Sequence, residues 1–141
     1  MMLDERGKFS DDQAITATAD STNSYDQGAM GSTFDGVQLV RKAGVLQNIP
    51  LLIQVTEDFN TLTSLTITIE SDDDSAFGSA TSVISFSVPL ASLVAGYVIP
   101  IHRLPVISER YIQINYTVVG TNPTTGKIMA GFVAEVDGNL V

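Results

Sequence analysis

The run Ser64-Leu65-Thr66-Ile67-Thr68-Ile69-Glu70, preceded by Leu51-Leu52-Ile53-Gln54-Val55-Thr56, decides the fold class. Leu65, Ile67 and Ile69 alternate with Ser64, Thr66, Thr68 and Glu70. Successive side chains of a strand point to opposite faces, so this alternation describes a strand with one face on a core and the other in water. Leu51, Ile53 and Val55 repeat the pattern. The intervening Glu57-Asp58-Phe59-Asn60-Thr61 is polar and turn-prone, which predicts that the two strands are antiparallel neighbours. After Glu70, the segment Ser71-Asp72-Asp73-Asp74-Ser75-Ala76-Phe77-Gly78-Ser79 breaks the pattern, because Asp, Ser and Gly favour turns.

Toward the C-terminus, Val83 to Val88 alternates again, with Ile84, Phe86 and Val88 against Ser85 and Ser87. Pro89 to Gly96 has proline at a first-turn position and glycine just past the end, which predicts one or two helical turns. Tyr97 to His102 is extended, with Pro100 and Pro105 suggesting an edge or loop. Tyr111 to Val119 sends Ile112, Ile114, Tyr116 and Val118 inward. Gly120 to Gly126 reads as a hairpin loop into a last strand, Lys127 to Asp137, with Ile128, Ala130, Phe132, Ala134 and Val136 on one face.

Toward the N-terminus the periodicity fades. Val37 to Lys42 is a weak strand candidate. Ser10-Asp11-Asp12-Gln13 has capping-box spacing with Phe9 as a staple, which predicts a helical turn, and Ile15, Ala17 and Ala19 mark a short strand. Asp20 to Gly36 is rich in Ser, Asp, Gly and Asn, with Tyr25, Met30 and Phe34 as isolated anchors. Those three either pack a surface loop or belong to an arm that grips a neighbour. The expected architecture is all-β, a jelly-roll-like sandwich of two sheets and about eight strands. Residues 1–36 form an extended N-terminal arm or loop segment, and residues 37–141 the β-sandwich, within a single domain overall.

A chain of 141 residues can bury a core unaided. Its charged fraction is 16%, and Thr and Ser supply much of the polar surface, as suits the water-facing sides of sheets. With no cysteine there is no disulfide framework and no thiolate ligand or nucleophile. Met1 to Ser10 lacks the apolar core of a secretory signal, and Leu93 to Ile101 is too short to span a bilayer, so synthesis in the cytoplasm and no membrane partner are expected. The net charge of −9, without a basic block, argues against nucleic acid.

Catalytic signals are sparse. His102 is the only histidine and has no nucleophile elbow or zinc-protease motif with it, so a surface or interface role is favoured. Glu70 to Asp74 could present oxygen ligands to calcium, but the spacing is not that of an EF-hand, and a solvated loop is favoured. Tryptophan is absent, which weakens a carbohydrate platform. Arg103, Arg110 and Lys127 are the only basic residues after Lys42; they are candidates for intersubunit ion pairs, with solvated positions the simpler assignment.

Several ordered segments carry a resemblance. Met2-Leu3-Asp4-Glu5-Arg6-Gly7, Phe9-Ser10-Asp11 and Gln13-Ala14 at the start resemble capsid cement (decoration) proteins of short-tailed bacteriophages. Val55-Thr56-Glu57-Asp58-Phe59, Leu65 to Asp73 and Phe77 are similar to the core of that family. So are Glu109-Arg110-Tyr111-Ile112-Gln113-Ile114-Asn115-Tyr116, Gly120-Thr121 and Gly126-Lys127-Ile128. The matches run in order along nearly the whole chain, except between Asp20 and Gly44. The resemblance implies a jelly-roll protein that dimerises on the capsid exterior and ties major capsid subunits together, with no catalysis and no cofactor. Tyr25, Met30, Phe34, Arg103 and Arg110 are the candidate capsid or intersubunit contacts. The alternative is a carbohydrate-binding β-sandwich module of a phage particle, and a β-sandwich hydrolase ranks third.

Overall fold

The computed structural model describes residues 3–39 and 49–134. Eight strands form: β1 (Leu3–Ala14), β2 (Ala19–Asp20), β3 (Tyr25–Asp26), β4 (Leu51–Glu57), β5 (Leu62–Asp72), β6 (Thr81–Pro89), β7 (Tyr111–Gly120) and β8 (Lys127–Val133). The only helical piece among the described residues is a 3₁₀ turn, Leu90–Ser92. Pro89 precedes that turn in extended conformation and Leu93 leaves helical geometry after it, so the one or two turns expected there are one 3₁₀ turn. The weak strand expected at Val37–Lys42 and the end of the last strand, Val136–Asp137, reach outside the described residues.

The strands make two antiparallel sheets, one ordered β1-β8-β4 and the other β2-β7-β5-β6, with β3 also on β7. Residues 96–104 run along the second edge of β4. The Ile99 N–H donates to the Ile53 carbonyl at 2.8 Å, Leu51 N–H to the His102 carbonyl at 3.0 Å, and Val55 N–H to the Tyr97 carbonyl at 2.9 Å. Counting that segment, the sheets read β1-β8-β4-(96–104) and (β2, β3)-β7-β5-β6. Apart from β2 to β3, which follow each other along β7, only β5 to β6 stays within one sheet. That double Greek-key order is the jelly roll.

The topology corrects two expectations. β4 and β5 are not neighbours, and neither are β7 and β8; in each case the intervening loop crosses from one sheet to the other. The two crossing loops close one end of the sandwich together. Asn60 Nδ2 donates to Thr124 Oγ1 at 2.7 Å, and Asn60 Oδ1 accepts from the Thr124 N–H at 2.8 Å. Beneath them Phe59 is buried against Gly126, where any Cβ would fall 2.4 Å from the Phe59 ring.

The N-terminal segment is also different from its expectation. Residues 3–14 form a strand of the first sheet, and the capping-box residues lie inside it. Its pairing with β8 contains three register shifts, and Asp12 has φ 52. Ser10 and Gln13 still meet, Oγ to Oε1 at 2.7 Å, but as side chains on a bulged strand. Phe9 and Ile15 are buried in the core, so β1 is part of the sandwich rather than an arm.

The core lies between the sheets. Leu51, Ile53 and Val55 of β4 and Ile128 and Ala130 of β8 face Leu65, Ile67 and Ile69 of β5 and Ile112, Ile114 and Tyr116 of β7. The alternation in β5 and β7 therefore reads as the sequence predicts. Phe132 is only partly buried, and Ala134 is exposed, because β8 ends at Val133. Phe132 makes edge-on ring contacts with Phe9 and Tyr25, at centroid distances of 5.2 and 5.0 Å.

Candidate interaction surfaces

Among the described residues the ionisable groups are mostly dispersed over the surface. His102 is exposed, and its carbonyl is tied to β4. Among the described residues no group of three or more His, Asp or Glu side chains could hold a metal ion. Among the described residues Asp72 is the one acidic residue drawn inside, and it organises its own loop. Its carboxylate accepts from the Asp74 N–H at 3.0 Å, the Ser79 N–H at 2.8 Å and the Ser79 hydroxyl at 3.1 Å. The Asp74 amide, with Ser79 behind it, holds the Asp72 carboxyl below the usual range. A shallow groove of about 400 Å³ beside it, between Ser71 and Thr81–Val83 on one side and Val106–Glu109 on the other, contains Glu109 as its only ionisable side chain.

A more informative surface leaves the opposite end of the sandwich from the crossing loops. Residues 31–39 form a miniature hairpin. Ser32 and Gln38 form a bridge, the Leu39 N–H donates to the Gly31 carbonyl at 2.8 Å, and the Thr33 N–H donates to the Val37 carbonyl at 2.8 Å. The tip turns at Phe34-Asp35-Gly36, where Gly36 takes φ 77 and its N–H donates to the Thr33 carbonyl at 2.9 Å. A positive φ is easy for glycine and strained for other residues. The hairpin is exposed throughout, and its apolar side chains are open among polar ones: Val37 is 64% exposed and Phe34 at the tip 105%, as open as in a free peptide, while Met30 just before it is 59% exposed. Leu39 is exposed as well.

The five expected contact residues separate around this hairpin. Phe34 is on it and Met30 just before it, and both are open. Tyr25 is in β3, partly buried, packed edge-on against Phe132. Arg110 forms a two-pronged pair with Asp26, Nε to Oδ1 at 2.8 Å and Nη2 to Oδ2 at 2.9 Å, and lies over the Tyr111 ring. Asp26 Oδ1 also accepts the Gly28 N–H at 2.8 Å. The Gln27 N–H donates to the Arg110 carbonyl at 2.8 Å. Arg110 and Tyr25 thus fix the base from which the hairpin springs. Arg103 is exposed on the segment beside β4, and its backbone bridges Pro50.

Two features were overlooked in the sequence. Asp35-Gly36 is a hairpin-turn dipeptide, hidden inside a stretch that lacks alternation. From Ser75 to Ile101 there is no Asp, Glu, Lys or Arg, in a chain whose net charge is −9. That charge-free stretch contains β6, an edge strand whose residues are exposed except for Val83 and Val88.

Over residues 9–132 the chain matches the Bbp16 family, and it belongs to that family. No curated protein matches it.

Proposed function

We propose that this Bbp16-family chain is a structural virion protein that binds the outer surface of a bacteriophage capsid and ties neighbouring major capsid subunits together. In this reading it acts as a homodimer, needs no cofactor and catalyses nothing. It is synthesised in the host cytoplasm and ends on the capsid exterior. The resemblance of its ordered motifs to capsid cement proteins supports the assignment to a shell.

The observation that carries the reading is the hairpin 31–39, with Met30, Phe34 and Val37 open on an anchored base. Apolar side chains held out in this way take nothing from the sandwich when they dock, and each contributes roughly 1.5–3 kcal/mol when fully buried on a partner. Holding the hairpin in shape beforehand lowers the ordering cost of docking. Repetition over a lattice then multiplies a modest single-site affinity. A surface of net charge −9 gives no attraction to a phosphate backbone, which favours a protein partner. The carbohydrate reading has less support: Tyr116 is buried and Tyr25, Tyr97 and Tyr111 are partly buried, so the tyrosines form no open stacking platform.

The test is to add the purified protein back to capsids lacking it, comparing wild type with the Met30→Ser/Phe34→Ser double variant. Thermal unfolding of the free protein should be unchanged, and binding should weaken by at least about tenfold, since 1.4 kcal/mol is a factor of ten. Undiminished binding by a folded double variant removes the hairpin from the contact.

A further inference from the structure

A jelly roll of open sheets leaves four edges, and three of them carry devices that discourage pairing with another strand. β1 bears Asp4, Glu5, Arg6, Lys8, Asp11 and Asp12 and is bulged. β2 and β3 are two residues each. The segment 96–104 is interrupted by Pro100. β6 has neither charge nor brevity nor an internal proline: it runs nine residues, its proline stands only at the end, its one register shift falls near its start, at Val83, and among the described residues it pairs with β5 alone. Its amides and carbonyls on the far side are an open template. Long, uncharged and β-branched or aromatic, such an edge aggregates unless a partner covers it.

Its side chains point to the same conclusion. Ile84 and Phe86 lie across from Ile69 and Ile67, which are buried, so they belong to the inner row of the sheet. Yet they are 39% and 37% exposed, because the facing sheet does not reach over them. On the outer face Ser85 meets Thr68 by a 3.1 Å hydroxyl bond, leaving a neutral polar surface.

We propose that β6 is the dimer contact, pairing antiparallel with β6 of a second copy across a twofold axis so that two sheets join into one. The inference rests on the homodimer in the proposed function and assigns it a surface. The occupant is a second copy because twofold antiparallel pairing of identical edges is self-complementary. Two chains of net charge −9 repel over most of their surfaces, and β6 brings together stretches without ionised side chains. Ile84 and Phe86 of each copy then extend the inner apolar row at the junction.

The experiment uses the purified full chain without capsids, so its result is independent of shell binding. The wild type should sediment as a dimer at micromolar concentration. Ser85→Lys/Ser87→Lys, which sets like charges across the axis, should shift it to monomer while it keeps the far-UV circular dichroism spectrum and cooperative melt of a folded chain. Because the chain has no cysteine, single substitutions Ser82→Cys, Ile84→Cys, Ser85→Cys, Phe86→Cys and Ser87→Cys can form only intermolecular disulfides, and the one on the twofold axis faces its own copy. Antiparallel pairs place Cα atoms about 4.5–5.5 Å apart, within disulfide reach. Mild oxidation should therefore cross-link at least one of the five in high yield, while a control, Thr121→Cys in the far loop, stays monomeric under denaturing electrophoresis. A monomeric wild type, or a dimer that the lysines leave intact and no β6 cysteine cross-links, overturns the proposal. Should the lysine variant not fold, the cysteine series decides alone.

Discussion

The Ser10 hydroxyl and the Tyr116 phenol, 106 positions apart in sequence, meet at 2.8 Å inside the sandwich and join β1 of one sheet to β7 of the other. Ser10 Oγ also lies 2.7 Å from Gln13 Oε1, which can only accept. A hydroxyl has one proton, so Ser10 gives it to Gln13 and Tyr116 donates to Ser10. Tyr116→Phe deletes that donor at constant shape and should destabilise by about 0.5–1.5 kcal/mol, read from urea midpoints. Burial raises the Tyr116 pKa above its ordinary value, while the Ser10 contact opposes the shift. The stability this group contributes is complete below about pH 10, the ordinary tyrosine value, and is lost as pH rises above it. Tyr116→Phe should therefore flatten the alkaline limb of the stability profile, and an unaltered limb would show that the phenol does not titrate there.

Ile114 is fully buried between the sheets. Ile114→Ala should cost about 2–5 kcal/mol by denaturant unfolding, as emptied core positions do. A loss well under 1 kcal/mol would mean that the inward face of β7 had been misassigned.

Asp72 supplies the acid-side counterpart. Its carboxyl is held below the ordinary value, so its contribution is present above about pH 3.9 and is lost as pH falls through the lower folded value. Asp72→Asn should lower stability at neutral pH and flatten the acid limb. If wild type and variant lose stability in parallel on acidification, the carboxylate is not what fastens residues 72–79.

Truncations distinguish sandwich from hairpin. Removing residues 1–14 takes away β1 and buried Phe9, and should abolish folding. Replacing residues 32–38 by a short Gly-Ser turn removes only exposed side chains and should leave Tm nearly unchanged. Far-UV circular dichroism and thermal melts decide both, and a well-folded chain lacking residues 1–14 would restore the detached-arm description.

These outcomes reflect how much of the molecule could be read from its residues. β5 and β7 are central strands with one face on the core, so burial imposes strict alternation and Leu65, Ile67, Ile69, Ile112 and Ile114 announce it. β1 is an edge strand with register shifts; each bulge resets the alternation, and Ser10 to Gln13 then imitates a helix start. Sheet membership was not legible, because Glu57–Thr61 and Gly120–Gly126 have the composition of hairpin turns but cross between sheets. What marks them as crossings is tertiary, the bonds of Asn60 to Thr124 and the seating of Phe59 on Gly126. Of the contact residues, Met30 and Phe34 proved exposed, whereas Tyr25 and Arg110 are committed to partners within the chain that no sequence spacing reveals.

In its proposed role this protein sits on the outside of a shell and bridges its subunits. Electron cryomicroscopy of particles with and without it tests that role directly. The account predicts difference density of sandwich shape on the outer capsid surface, with the 31–39 hairpin seated on a major capsid subunit. Particles that show no such density, or density confined to the tail, would contradict it.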